Sequence, residues 1–257
     1  MSTAAQSIYT GGTINLPEIS DHDLIMHFGR NSILCTSETS NTKLAKSYKL
    51  YPQYRNAYVA LLPADHSGIN VCPRHAHCKT HCIGISAGRN RFDNSIIGKY
   101  YRTLYYARFR SDFIAQLSRE LTNFQTLCAR TGRTGAVRLN AFSDIAYEIR
   151  HPELFANCPD ITFYDYTKIN NRKVKHISNY HLTFSKADGN DMDTRLAISN
   201  GMNVAVVFHK VPENYLGRPV INGDETDLRF LDPKGVIVGL KAKGKAKKDL
   251  SGFVVTA

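Results

Sequence analysis

The chain has 257 residues, 42% of them hydrophobic, with a formal net charge of +11 at pH 7 and a pI of about 9.4. That apolar content excludes a disordered polymer and allows a sizeable buried core, while no apolar run is long enough for a membrane span. The basic balance favours polyanionic partners such as nucleic acid or phosphorylated ligands, or an anionic metal–thiolate centre.

Residues 1–40 read as a weakly patterned N-terminal extension. Its start lacks the basic-then-apolar layout of a secretory signal, so a reducing location is expected and the six cysteines do not read as a disulfide framework. Ser20 suits the N-cap of a short helix over 21–28. The polar run around Asn41 and Lys43 predicts a loop whose amides and ammonium hold an anion, with an ordinary surface turn as the alternative. The apolar run 58–62, closed by Pro63, predicts a strand.

Cys72, Cys78 and Cys82 follow in the spacing C-x5-C-x3-C. Soft thiolates this close together bind zinc or an iron–sulfur cluster, and a metal loop placed after a strand suits an α/β protein. Zinc would need a fourth ligand, and His75, His77 and His81 stand in the same loop. Three thiolates are what an open-site cubane uses, Pro73 is familiar beside cluster cysteines, and the C-x2-C knuckle of zinc ribbons is missing. The reading therefore favours a 4Fe–4S cluster over zinc. Cys35 and Cys158 are the candidates for a fourth thiolate. Arg74, Lys79, Arg89 and Lys43 are the cations at hand to balance the cluster's negative charge.

One long helix is predicted over 95–130. Ile97, Tyr101, Leu104, Phe113, Leu117, Leu121 and Phe124 form its buried face, with Cys128 in the core. Arg102, Arg108, Arg110 and Arg119 make a basic outer surface. Tyr100, Tyr105 and Tyr106 either stack on bases or pack. Strands are then predicted over 136–140, 161–166, 180–185, 204–208 and 235–240, with short helical pieces over 148–157 and 191–201. This alternation predicts one α/β domain, a partial (β/α) barrel or an open parallel sheet. Asn140, Ser143, Asp144, Tyr166, Lys168, Ser185 and Lys241 fall at or just beyond strand ends, where such folds build their sites. Asp144 and Lys168 are the proton-transfer candidates, because burial retunes a carboxylate and an ammonium. The basic C-terminal segment 241–257 opens with a lysine-rich run that either is solvated, contacts phosphates, or turns Lys241 into the site.

The order of several short motifs resembles the bacteriophage gene product 88 family. These are Asn41-x-Lys43-Leu44, Leu62-Pro63-Ala64, the three-cysteine segment, Val137-Arg138 leading to Ser143-Asp144, and Phe163-Tyr164-x-Tyr166-Thr167-Lys168. Arg229-Phe230-Leu231-Asp232-Pro233 and the following Gly235 to Gly244 close the series. The resemblance implies a phage protein working in the host cytoplasm, and it implies little about activity.

The three-cysteine segment invites comparison with radical S-adenosylmethionine enzymes, whose cluster loop follows the first strand of a partial barrel. Their spacing is usually C-x3-C-x2-C, and Ala141-Phe142-Ser143-Asp144 stands here where they carry a Gly-Gly-Glu motif. The comparison implies a redox or radical enzyme. A small molecule, S-adenosylmethionine among the candidates, would sit at the open iron, held by the strand-end residues Asn140, Ser143, Asp144, Tyr166, Lys168, Ser185 and Lys241. The competing expectation is a non-enzymatic basic protein stabilised by iron–sulfur or zinc, binding nucleic acid or a phage or host protein, and no membrane.

Overall fold

The computed structural model describes residues 8–10, 13–36 and 42–256. A hairpin of β1 (Tyr9–Thr10) and β2 (Thr13–Ile14) precedes helix α1 (Asp21–Phe28). The main sheet has ten strands: β3 (Leu34–Cys35), β4 (Tyr54–Val59), β5 (Thr134–Arg138), β6 (Ile161–Thr167), β7 (Tyr180–Ser185), β8 (Val204–Phe208), β9 (Asn214–Tyr215), β10 (Arg218–Asn222), β11 (Ile237–Lys241) and β12 (Val254–Val255). Helices α2 (Thr42–Leu50), α3 (Cys78–His81), α4 (Ile83–Ser86), α5 (Asp93–Arg108), α6 (Arg110–Arg130), α7 (Tyr147–Arg150), α8 (Glu153–Ala156) and α9 (Asp191–Ser199) lie in the connections. None of these helices is long and apolar enough to cross a membrane.

From β4 to β8 each strand lies parallel beside its predecessor, and β11 and β10 continue the parallel run. The edge strands β3 and β9 are antiparallel. Right-handed crossovers between sequential parallel neighbours all fall on one face of the sheet. That face carries the large core: Val137, Leu139, Ile161, Phe163 and Tyr180 cluster with Leu104, Phe113, Leu117, Leu121 and Phe124 of α5 and α6. Alternate residues point the other way. There Ala136 and Tyr164 meet Leu228 and Phe230, whose ring lies 5.3 Å from Tyr164 and 5.1 Å from Tyr54, closing one end of that face.

At the opposite end β7 pairs only with the start of β8, through Phe184–Val204 and Ser185–Ala205. The two-residue β12 takes the next rungs, Val207 and Phe208. The C-terminal segment is thereby anchored beside the strand ends.

Several expectations need correction. The long helix breaks at Phe109, whose backbone (φ −127°, ψ 52°) ends α5 before α6 begins. The α6 face is as expected, but α5 is turned by one residue: Ile96, Lys99 and Thr103 are buried rather than Ile97 and Tyr101. Tyr105 and Tyr106 are buried and pack, so they are not base-stacking surfaces. The predicted strand 58–62 ends at Val59 in β4, because Leu62 gives its N–H to Thr103 Oγ1 at 2.8 Å instead of to a ladder. The anion loop is replaced by α2, which takes in Lys43; Asn41 and the side chain of Lys43 lie outside the described residues. Ser20 does cap α1, accepting the Asp23 N–H at 3.1 Å. Leu24 and Phe28 of α1 belong to the main core, where Phe28 stacks on Tyr105 at 4.5 Å.

Candidate functional site

A cavity of about 1000 Å³ lies over the carboxyl ends of the parallel strands. Its wall includes Ala57 of β4 and Leu240 of β11, strands separated by four others, so the sheet is concave toward it. Cys72, Cys78, Cys82, Asn140, Ser143, Asp144, Tyr166, Lys168, Ser185 and Lys241 all line it. Every described site residue expected from the cysteine spacing and the strand ends therefore meets in one space.

The cysteine loop is built onto the loop after β5. Ala64 has φ +53°, a left-handed conformation that costs a side-chain-bearing residue about 1–2 kcal/mol. That turn aims the Ala64 N–H at Cys72 Sγ at 3.4 Å, while its carbonyl accepts the Val71 N–H at 2.9 Å. Cys72 Sγ in turn donates to the Phe142 carbonyl at 3.3 Å, and the Asp144 N–H bonds Val71 O at 2.8 Å. Cys78 opens α3 and Cys82 caps its end, so the pair shares one helical face. The Gly84 N–H counts among the influences that lower the Cys82 thiol, against the larger effect of burial. Burial pushes the Cys72 thiol up to about 12 and the Cys82 thiol up to about 11. Both are neutral in the metal-free chain, and a metal would have to displace their protons.

Among the described residues no three His, Cys, Asp or Glu side chains are gathered closely enough to hold one metal ion. The loop histidines are each drawn to a carboxylate. His77 Nδ1 lies 2.7 Å from Asp188, His81 Nε2 lies 2.9 Å from Asp249, and His75 Nε2 lies 3.9 Å from Asp65. The expected fourth thiolates do not reach the cavity: Cys158 is buried in the helix-side core and Cys35 sits on edge strand β3.

Two lysines flank the thiols. Burial disfavours the charged form of Lys168, but Cys78, Asp144, Cys72 and Cys82, the thiols in their ionised form, outweigh it and hold the ammonium above its ordinary range. Lys99 is 2% exposed, and burial lowers it to about 8. Its Nζ bonds the Asn90 carbonyl and Ser95 Oγ, both at 3.0 Å, and lies 5.6 Å from the Phe142 ring centroid. Among the described residues no carboxylate pairs with it, and Cys82 is the leading group that favours its charge. Among the cations expected from sequence, Lys79 is instead paired with Asp65.

The carboxylate of Asp144 is fully engaged, receiving the Lys168 N–H at 2.8 Å and Arg172 Nη1 at 2.9 Å. Asn140 and Ser143 bond each other at 2.8 Å and shape the loop, with Asn140 also bonding Asp165 and Ile145. Deeper in the cavity Arg138 pairs with Asp227 at 2.8 Å and lies 4.9 Å from the Tyr166 ring centroid. Among the described residues Arg138 Nε and the Tyr166 hydroxyl are buried without a hydrogen-bond partner.

Sequence reading overlooked Lys99, Arg138 and Arg172 as site components. A lysine on the apolar stripe Ile96–Lys99–Thr103 was the available signal for the first. Arg138 was signalled by its place between Val137 and Leu139 at a strand end.

A family model described as gene product 88 matches residues 33–257. Comparison with curated proteins and with solved structures returns no match. With the match running from β3 through the cysteine loop to the C-terminal clasp, the chain belongs to the gene product 88 family.

Proposed function

We propose that this chain is an iron–sulfur enzyme of the host cytoplasm, with a 4Fe–4S cluster at the mouth of a partial barrel. One observation carries the reading: three thiols line one cavity wall beside a buried lysine that meets no carboxylate counter-charge among the described residues. A buried cation needs a paired anion. A net-anionic thiolate cluster held by Cys72, Cys78 and Cys82 meets that need for Lys99, and adds to Asp144 for Lys168. Thiols that share a wall without closing on one point suit ligands on separate irons better than ligands on a single zinc.

When bound, the cluster would supply electron transfer to a molecule in the cavity. The chain's own groups do the rest. The Ala64 N–H on the Cys72 sulfur, with the two ammonium groups, favours the more reduced, more negative state. Arg138 Nε and the Tyr166 hydroxyl offer a polar substrate two buried donors, whose unmade hydrogen bonds it would complete. Lys168 acts as a fixed positive charge, and Asp144 positions it. Reconstitution with iron and sulfide tests the site: single alanine substitutions at Cys72, Cys78 or Cys82 should each abolish or strongly deplete the cluster, and full retention in any of them defeats this ligand set. S-adenosylmethionine is the first candidate occupant, read as nucleoside cleavage by the dithionite-reduced protein.

A second reading, nucleic-acid binding, draws on the exposed Lys245, Lys247 and Lys248 on a turn beside the cavity rim. It requires affinity for DNA or RNA that falls steeply with salt.

A further inference from the structure

We propose that His81 Nδ1 is the fourth protein ligand of the cluster. This rests on the iron–sulfur reading above and goes beyond it, because it closes the iron that three cysteines leave open.

The helical turn places His81 three residues after Cys78 and next to Cys82, and all three side chains line the cavity. Its two ring nitrogens have different surroundings. Nε2 lies 2.9 Å from Asp249 Oδ1, and the Asp249 side chain is only 1% exposed. That carboxylate is held ready by the Val254 N–H at 2.9 Å and the Ser251 hydroxyl at 2.7 Å. A carboxylate can only accept, so the ring proton belongs on Nε2. Turning the ring over would place carbon against Asp249, which fixes the ring's orientation as well as its tautomer. The Phe253 ring lies nearly parallel to it, at 6.0 Å and 5°.

In the neutral ring Nδ1 is then the lone pair, and it is buried without a hydrogen-bond partner among the described residues. A carboxylate that orients an imidazole so that its other nitrogen faces a metal is the usual outer-shell arrangement at metal-bound histidines. A neutral ring coordinates through Nδ1 while keeping its proton on Nε2. The alternatives are weaker. His77 is exposed and has its Nδ1 on Asp188, and Cys35 and Cys158 lie away from the cavity.

With His81 in place, a substrate in the cavity would exchange electrons with the cluster without binding iron. S-adenosylmethionine would have to displace the imidazole to reach it.

The test is pulsed electron paramagnetic resonance on the full-length protein, purified anaerobically and reduced with dithionite. Wild type should show one strongly coupled nitrogen that changes as expected on labelling with 15N-histidine. His81→Ala should lose that coupling. His81→Cys, which retains a ligand and guards against simple misfolding, should lose it too while keeping the cluster and lowering its midpoint potential. A cluster without a strongly coupled histidine nitrogen, or with the coupling intact in His81→Cys, overturns this assignment and leaves the three-cysteine reading standing. A colourless protein overturns both.

Discussion

Asp144 receives the backbone N–H of Lys168 on one carboxylate oxygen at 2.8 Å, and Arg172 on the other at 2.9 Å. One side chain from the loop after β5 thereby fixes the end of β6, and with it the lysine that faces the thiols. Arg172 is also clamped by Glu148 at 2.6 and 2.8 Å. Removing one partner from such a buried set leaves charge uncompensated.

Asp144→Ala should therefore cost about 3 kcal/mol of unfolding free energy, measured by urea denaturation. Asp144→Asn should cost less, because its amide oxygen can still accept the Lys168 N–H. Equal losses for the two variants would show that charge, and not the backbone tether, is what Asp144 supplies.

Lys99 gives the metal-free protein a pH signature. Burial lowers its ammonium from 10.5 to about 8, so between those values the unfolded chain holds more protons than the folded one. The Lys99 contribution to stability thus rises with pH across that window. Cys72 and Cys82 act with the opposite sign above their ordinary 9.0, up to about 12 and 11 respectively, since there the folded chain retains the extra protons. Comparison with Lys99→Met isolates the lysine. The variant should be more stable than wild type at pH 7, and its advantage should shrink toward pH 10.5. A constant difference across pH would show that Lys99 is not destabilised by burial. In cluster-loaded protein the same substitution should lower the midpoint potential, because it removes a nearby cation.

Gly84 has no room for a side chain. A Cβ there would meet the Phe142 ring at 2.8 Å, and the Phe142 carbonyl is the acceptor for Cys72 Sγ. Gly84→Ala should cost about 1–3 kcal/mol through overpacking and also speed thiol alkylation of Cys72. Alkylation unchanged alongside lost stability would mean that Phe142 moves without carrying Cys72.

Asp249 ties the C-terminal segment to α3 through His81 and to its own turn through Ser251 and Val254. Asp249→Ala should raise amide hydrogen exchange over residues 244–255 and expose Cys82 to alkylation. Exchange confined to the mutated turn would show that β12 alone holds the segment.

Much of the site was legible because it is written locally. The cysteine spacing and the polar residues at strand ends are short-range signals, and β7 and β8 were readable from end to end, β8 as an apolar run. The orientation of α5 was not. Ile96 and Ile97 are adjacent and both apolar, so periodicity alone fixes the buried face only to within one residue, and that step decides whether Lys99 faces the core. The break at Phe109 has no proline or glycine to announce it. β12 is two residues long and owes its existence to rungs left open where β7 parts from β8. The contact between His81 and Asp249 joins segments far apart in sequence, and no local pattern signals it.

The most direct measurement is the iron and acid-labile sulfide content of the protein purified without oxygen, read with its absorption spectrum. The account predicts a brown protein with about four irons and four sulfides per chain and a broad band near 400 nm. A colourless protein carrying one zinc, or no metal after anaerobic reconstitution, would contradict it.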